Sequence, residues 1–270
     1  MSGLQILLPP PTAALLERAR EFRQTAARPA PASPSATVIL MRDRKGSDGG
    51  GGLEVFLQRR VPAMAFAPGV HVFPGGVVDP TDYPPDGDLP SAFVTAAVRE
   101  TFEETGVLLA ARAGGSTQAS EPLEQVLEDE RLALLAHDTT LSDVLRRHSL
   151  VIAADALRPW AHWVTPDFEP RRYDTRFFVA LLPGHQATRE VGGESDAVDW
   201  VTPAAALAAQ ERREWLLMVP TEVTLRDLAA HTSAASAFEA AATRRVRRLR
   251  PVLDLDVDPP RWVLDDVASP

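Results

Sequence analysis

Apolar and polar positions alternate along this chain in two periods. Leu53 to Gln58, Trp160 to Val164, Thr175 to Leu182 and Ala197 to Val201 alternate or run apolar over strand lengths, as does Ala36 to Met41. Helical spacing marks Thr12 to Ala27, Glu121 to His137, Leu141 to Arg147, Pro203 to Gln210, Glu222 to His231 and Ala234 to Arg248, and Val252 to Asp256 reads as an edge strand. Arg28 to Ser35 is a Pro/Ala/Ser linker that detaches the first helix, so residues 1–35 form a helix and linker and 36–270 the main domain. Gly69 to Gly76 is an apolar strand ending in Pro-Gly-Gly. Asp79 to Ser91 holds four prolines among its aspartates and reads as an irregular surface loop.

The helix that ends at Gly106 has the most unusual pattern. Val94, Val98, Thr101, Phe102 and Thr105 share one face, while Glu100, Glu103 and Glu104 fall within an arc of roughly 100° on the other. A Glu-rich helix face is commonly just solvated. Here it lies near Gly75-Gly76, where a tight turn lets backbone and phosphate approach closely. A wall of carboxylate oxygen suits hard cations such as Mg²⁺ or Mn²⁺, which neutralise diphosphates.

Gly76 followed by Arg99-Glu100-Thr101-Phe102-Glu103-Glu104-Thr105-Gly106-Val107 resembles the Nudix box, G-x5-E-x7-R-E-U-x-E-E-x-G-U, with U a bulky apolar residue. Arg99 stands nine residues further from Gly76 than the box sets, Asp82 falls at the first Glu position, and Thr101 takes an apolar position. Phe66 to Asp79, Trp163 to Pro166, Arg171 to Phe178, Val191 to Glu194 and Asp199-Trp200 are similar to segments of the peroxisomal coenzyme A diphosphatase branch, whose box also carries an insertion. The resemblance spans roughly residues 36 to 232.

It implies an α/β fold, a Nudix-type α/β/α sandwich with a mixed β-sheet plus the N-terminal and C-terminal helices. It also implies metal-dependent hydrolysis of a nucleoside diphosphate derivative, coenzyme A or acyl-coenzyme A first and ADP-sugars or dinucleotides as the alternative. A Nudix-fold sensor that binds without turnover is disfavoured by retention of all three glutamates. Glu103 and Glu104 would hold the main Mg²⁺ (or Mn²⁺). Glu100 would share a metal or take the proton of the attacking water, and Arg99 would orient one of these glutamates. Glu194, in a Gly-flanked loop, is a further metal ligand or base, or an ordinary surface glutamate. The substrate candidates are Gly75, Gly76, Arg60, Arg171, Arg172 and Arg176; Arg171 and Arg172 read equally as a turn that caps a strand. His71 and Trp163 read as packing residues.

Composition narrows the field. The chain of 270 residues with 45% hydrophobic content can bury a sizeable core. It has no cysteine, which excludes disulfides, Cys₄ zinc sites and thiol catalysis. A net charge of −9 disfavours nucleic acid as a partner. No apolar run approaches a membrane span and no secretory pattern opens the chain, so a cytoplasmic location without membrane contact is expected, with a homodimer left open. Arg244 to Arg250 is expected to be a solvated helical face or a partner for Asp254, Asp256 and Asp258.

Overall fold

The computed structural model describes residues 11–44, 52–61, 69–84, 87–112, 122–189 and 195–267. In chain order they form α1 (Ala13–Thr25), β1 (Ala32–Asp43), β2 (Leu53–Arg60), β3 (His71–Val72), β4 (Gly75–Val77), α2 (Leu89–Thr105) and β5 (Ala110–Arg112). There follow α3 (Pro122–Leu135), α4 (Leu141–Arg147), β6 (Leu150–Ile152), β7 (Arg158–Val164), β8 (Arg172–Leu181), β9 (Ser195–Val201) and α5 (Pro203–Glu211). The chain closes with α6 (Val219–Leu228), α7 (Ala234–Ala241), β10 (Arg248–Asp254) and β11 (Arg261–Asp266).

Nine strands make one mixed sheet in the order β11-β10-β7-β8-β1-β2-β3, with β4 also on β1 and β9 also on β2. Strand β1 explains the layering. Its Ala36, Val38 and Leu40 pack with Phe93, Ala97 and Phe102 of α2, whereas Ile39 and Met41 pack with Leu225, Leu228 and Ala237 of α6 and α7 on the other face. Because successive side chains alternate across a sheet, a strand with helices on both sides must be apolar throughout its centre. The result is an α/β/α sandwich of the expected class. Among the described residues, no helix is long and apolar enough to cross a membrane.

Four expectations need correction. The boundary after Ser35 falls inside β1, since Ala32 to Ser35 pair in parallel with Arg172 to Thr175 of β8. Helix α1 is not detached. Ala19 is buried, and Arg18 and Arg23 reach Glu169 at 2.9 Å and Asp256 at 2.8 Å. The Ala-rich helix stops at Ala241, Arg244, Arg245 and Arg247 lie between it and β10, and Arg248 and Arg250 lie in β10, where Arg248 and Leu249 pair with His162 and Trp163. Four of those arginines pair with Asp227, Asp174, Asp167, Asp265 and Asp266, whereas Asp254 and Asp256, expected as their partners, pair with Arg261 and Arg23. Finally, the Asp79 to Ser91 segment is not wholly irregular. It opens with a 3-10 turn, Pro80–Asp82, whose last residue is buried, and its end already belongs to α2.

Candidate functional site

Helix α2 begins at the N-cap Asp88, whose side chain accepts from the Ser91 N–H, and ends where Gly106 takes the left-handed conformation at φ 74°. Phe93, Val98 and Phe102 are buried, and Thr101 and Thr105 turn their hydroxyls onto carbonyls four residues back, which satisfies them on the core side. This fixes the rotation of the helix and aims Glu100 and Glu104 toward β4 and Glu103 toward Arg99.

The two glycines of β4 are there because nothing larger fits. A Cβ on Gly75 would lie 2.3 Å from the Ala36 carbonyl oxygen, and one on Gly76 would lie 2.2 Å from Oε1 of Glu100. The Gly75 N–H donates to Oε2 of Glu104 at 2.7 Å. Two carboxylates one helical turn apart therefore meet the backbone of the Gly-Gly step.

Arg99 organises the carboxylates. Its Nε and Nη2 each donate to one oxygen of Asp82 at 2.9 Å, and Nη2 also donates to the Val77 carbonyl at 2.9 Å. Nη1 donates to Glu100 at 2.8 Å and to Glu103 at 3.1 Å. Asp82 is 1% exposed and Arg99 is 9% exposed, so this is a buried network in which the planar guanidinium fork holds three carboxylates. Asp82 in turn is fixed by the 3-10 turn, where it accepts from the Asp79 N–H at 2.8 Å. Arg99 thus orients two glutamates where one was expected, and Asp82 fills the first acidic position of the box despite the insertion.

Burial pushes the Glu100 carboxyl up to about 7, with Arg99 opposing the effect and the charge of Glu103 adding to it. Burial also raises Glu103. A cluster of carboxylates whose charge is incompletely offset is the environment in which a divalent cation is favoured, and the oxygen donors are of the kind Mg²⁺ and Mn²⁺ prefer. Among the described residues no three acidic or histidine side chains close on one point, so cation binding needs these side chains to turn. Side-chain torsions must supply that freedom, because the end of the helix is pinned. Arg131, which no sequence signal marks, donates to the Glu103 carbonyl at 3.0 Å and pairs with Glu128 at 2.6 Å, while the Arg189 N–H donates to the Thr105 carbonyl.

The candidate arginines part company. Arg172 is a joint of the fold. Its Nε donates to the Thr165 and Pro166 carbonyls, Nη1 to the Ala30 carbonyl at 2.7 Å and Nη2 to Asp167 at 2.5 Å. All three nitrogens serve the chain itself, in keeping with the reading of Arg172 as part of the turn that caps β8. Arg171 is exposed in the bend before β8, and Arg60 closes β2, its carbonyl accepting from the Gly69 N–H. Arg176 lies on the α2 side of β8, stacked 4.3 Å from the Phe93 ring. Glu194 lies outside the described residues. His71 and Trp163 are buried, and His71 stacks on Trp215 at 4.0 Å.

A family model, the NUDT19 Nudix domain, matches residues 87–228. A putative nudix hydrolase 7 from Caenorhabditis elegans is 36% identical over 149 residues, covering 55% of this chain and 46% of that protein. The acyl-coenzyme A diphosphatase NUDT19 of Homo sapiens is 29% identical over 242 residues, covering 66% of this chain and 61% of that protein. The chain thus spans about half to three fifths of the length of these curated relatives. The crystal structure of a NUDIX hydrolase from Alicyclobacillus acidocaldarius superposes with a TM-score of 0.67 at 29% identity, covering 78% of this chain and 96% of that one. Sheet, helix and box agree with these matches: the chain belongs to the Nudix family, within the group of the NUDT19 Nudix domain.

Proposed function

We propose that this chain hydrolyses the diphosphate of coenzyme A or acyl-coenzyme A, using Mg²⁺ or Mn²⁺, to release adenosine 3′,5′-bisphosphate and the phosphopantetheine part. The observation that carries the reading is the buried Asp82–Arg99–Glu100–Glu103 network beside Gly75-Gly76, reached across a box insertion that the coenzyme A branch shares. The names of the relatives favour the same substrate.

In this reading Glu103 and Glu104 would hold the cation, and Glu100 would either share it or take the proton of the attacking water. A bound divalent cation supplies a water that is nucleophilic near neutral pH and offsets charge on the diphosphate oxygens. The chain does the rest. Arg99 is hydrogen-bonded to both Glu100 and Glu103 and keeps the two carboxylates beside each other. Glu100, whose carboxyl burial has raised, is suited to accept the proton of the water as its oxygen bonds to phosphorus and the bridging P–O bond breaks. The bare Gly75-Gly76 backbone lets the carboxylates of Glu100 and Glu104 approach it closely.

A hydrolysis screen over coenzyme A, acetyl-coenzyme A, ADP-ribose, a dinucleotide and nucleoside triphosphates tests the substrate. Coenzyme A or its thioester should be turned over fastest. Preference for ADP-ribose or the dinucleotide would replace the coenzyme reading with the second one, and binding without turnover would make the chain a sensor.

A further inference from the structure

We infer that the outer edge of β11 is a self-association surface: a second copy of this chain adds its own β11 to it in antiparallel, joining the two sheets into one. The inference is independent of the substrate.

Strand β11 closes one end of the sheet and, among the described residues, pairs with β10 alone. Its inner pairing fixes which backbone groups face outward. The Val267 N–H donates to the Arg248 carbonyl at 2.8 Å, and antiparallel partners exchange hydrogen bonds at every second residue. Asp265, Val263 and Arg261 therefore turn their N–H and C=O groups to β10, while those of Leu264 and Trp262 face away from it. Pro251, opposite Leu264, fits this assignment, since a proline has no N–H to donate there. The edge thus offers backbone donors and acceptors on an apolar run, Trp262-Val263-Leu264, which no proline or lysine interrupts. Val263 is 39% exposed.

The side chains select a second copy as the partner and set its register. In antiparallel pairing about a two-fold axis, opposed residues share a face of the sheet, so the axis passes through one residue position. With Val263 on the axis, Trp262 lies opposite Leu264 of the second copy, and these two exchange the outward backbone hydrogen bonds. Arg261 then lies opposite Asp265 of the second copy, and symmetry repeats both pairs. Moving the axis to Trp262 would set Arg261 against Val263, and moving it to Leu264 would set Asp266 against Trp262. Only the Val263 register matches charge with opposite charge and apolar with apolar. Charge also alternates along the joined row, from Asp254 through Arg261 to Asp265 and Arg250 of the second copy. Within one chain Arg261 comes only to 4.0 Å of Asp254, and its side chain is exposed. Asp265 stays exposed while pairing with Arg250 at 2.7 Å. Trp262 is already held by stacking on Phe168. A contact between two six-residue strands is below the size of a permanent interface, so the association is reversible and grows with concentration.

The test is sedimentation velocity on the full chain from about 5 to about 200 μM, with residue-resolved amide hydrogen exchange at both ends of that range. Wild type should shift toward dimer as concentration rises, and the Trp262 and Leu264 amides should gain protection in step. Arg261→Asp sets like charges against Asp265 of the second copy, and Asp265→Arg does the same against Arg261. Each variant, shown folded by thermal melt, should stay monomeric alone. An equimolar mixture of the two should dimerise again, because every cross-pair is then opposite in sign. Monomeric wild type over the whole range, or a dimer without added protection at Trp262 and Leu264, would overturn the inference. So would variants that associate like wild type, or folded variants whose mixture stays monomeric. Should a variant fail to fold, the wild-type exchange result decides.

Discussion

At the scale of single residues, the site depends on contacts too close to tolerate one added carbon. Gly76→Ala would set a Cβ 2.2 Å from Oε1 of Glu100. The clash is with the end of a flexible side chain, so the fold should survive while Glu100 is displaced. The melting temperature should stay within a few degrees of wild type and kcat should drop by about two orders of magnitude; an unaltered rate would mean the Gly76–Glu100 approach has no part in turnover. Asp82→Ala takes from Arg99 its bidentate partner and leaves a buried cation short of charge. Breaking such a pair typically costs about 3 kcal/mol or more, which urea unfolding would register as a lowered midpoint. A midpoint equal to wild type would show that Glu100 and Glu103 suffice to hold Arg99. That the glutamates share one face is legible from spacing, because a helix turns each residue by a known angle, whereas their roles and that of Arg99 are legible only through the likeness to the Nudix box. The role of Asp82 is only half legible: its box position can be counted, but its burial depends on a short 3-10 turn that proline-rich sequence disguises.

At the scale of elements, the apolar strands β1, β2, β7 and β8 and the helices α2 and α4 follow from periodicity to within a few residues, since each has a face whose burial is dictated locally. Elements defined by a partner distant in sequence are not legible in this way. The stretch Arg244 to Arg248 reads as helical and instead leads into β10, which β7 and β11 flank, while the second half of that strand, from Val252, is legible as a strand. Strands β5 and β6 are three residues each and exist only by pairing with each other. The same long-range logic governs the β7–β8–β10 seam. Burial there works to raise the Asp174 carboxyl, but His162 and Arg248 outweigh it and hold the group well below its ordinary value of 3.8, at about 2. A depressed carboxyl stabilises the fold above its unfolded value, and that stability is lost as pH falls through the folded one. The stability gap between wild type and Asp174→Asn should accordingly be constant near neutrality and shrink between about pH 4 and pH 2. A gap that does not change over that window would show that the seam owes its strength to packing.

At the scale of the whole molecule, one sheet ties the two ends of the chain together. Helix α1 rests on the β10 side through Ala19, Arg18 and Arg23, and Ala32 to Ser35 already belong to the central strand. The acidic surface implied by a net charge of −9 gives no general attraction for a polyanionic substrate. Binding must therefore come from local positive charge, supplied in this reading by a divalent cation on the α2 carboxylates. The most direct test of this account is a mass-resolved assay of coenzyme A hydrolysis by the purified chain, with Mg²⁺, with Mn²⁺ and with excess chelator, alongside Glu104→Gln. The account predicts adenosine 3′,5′-bisphosphate and phosphopantetheine as the only products, turnover with either cation, none in chelator, and a loss of about two orders of magnitude or more in the variant. Undiminished turnover in chelator, or a wild-type rate from Glu104→Gln, would contradict it.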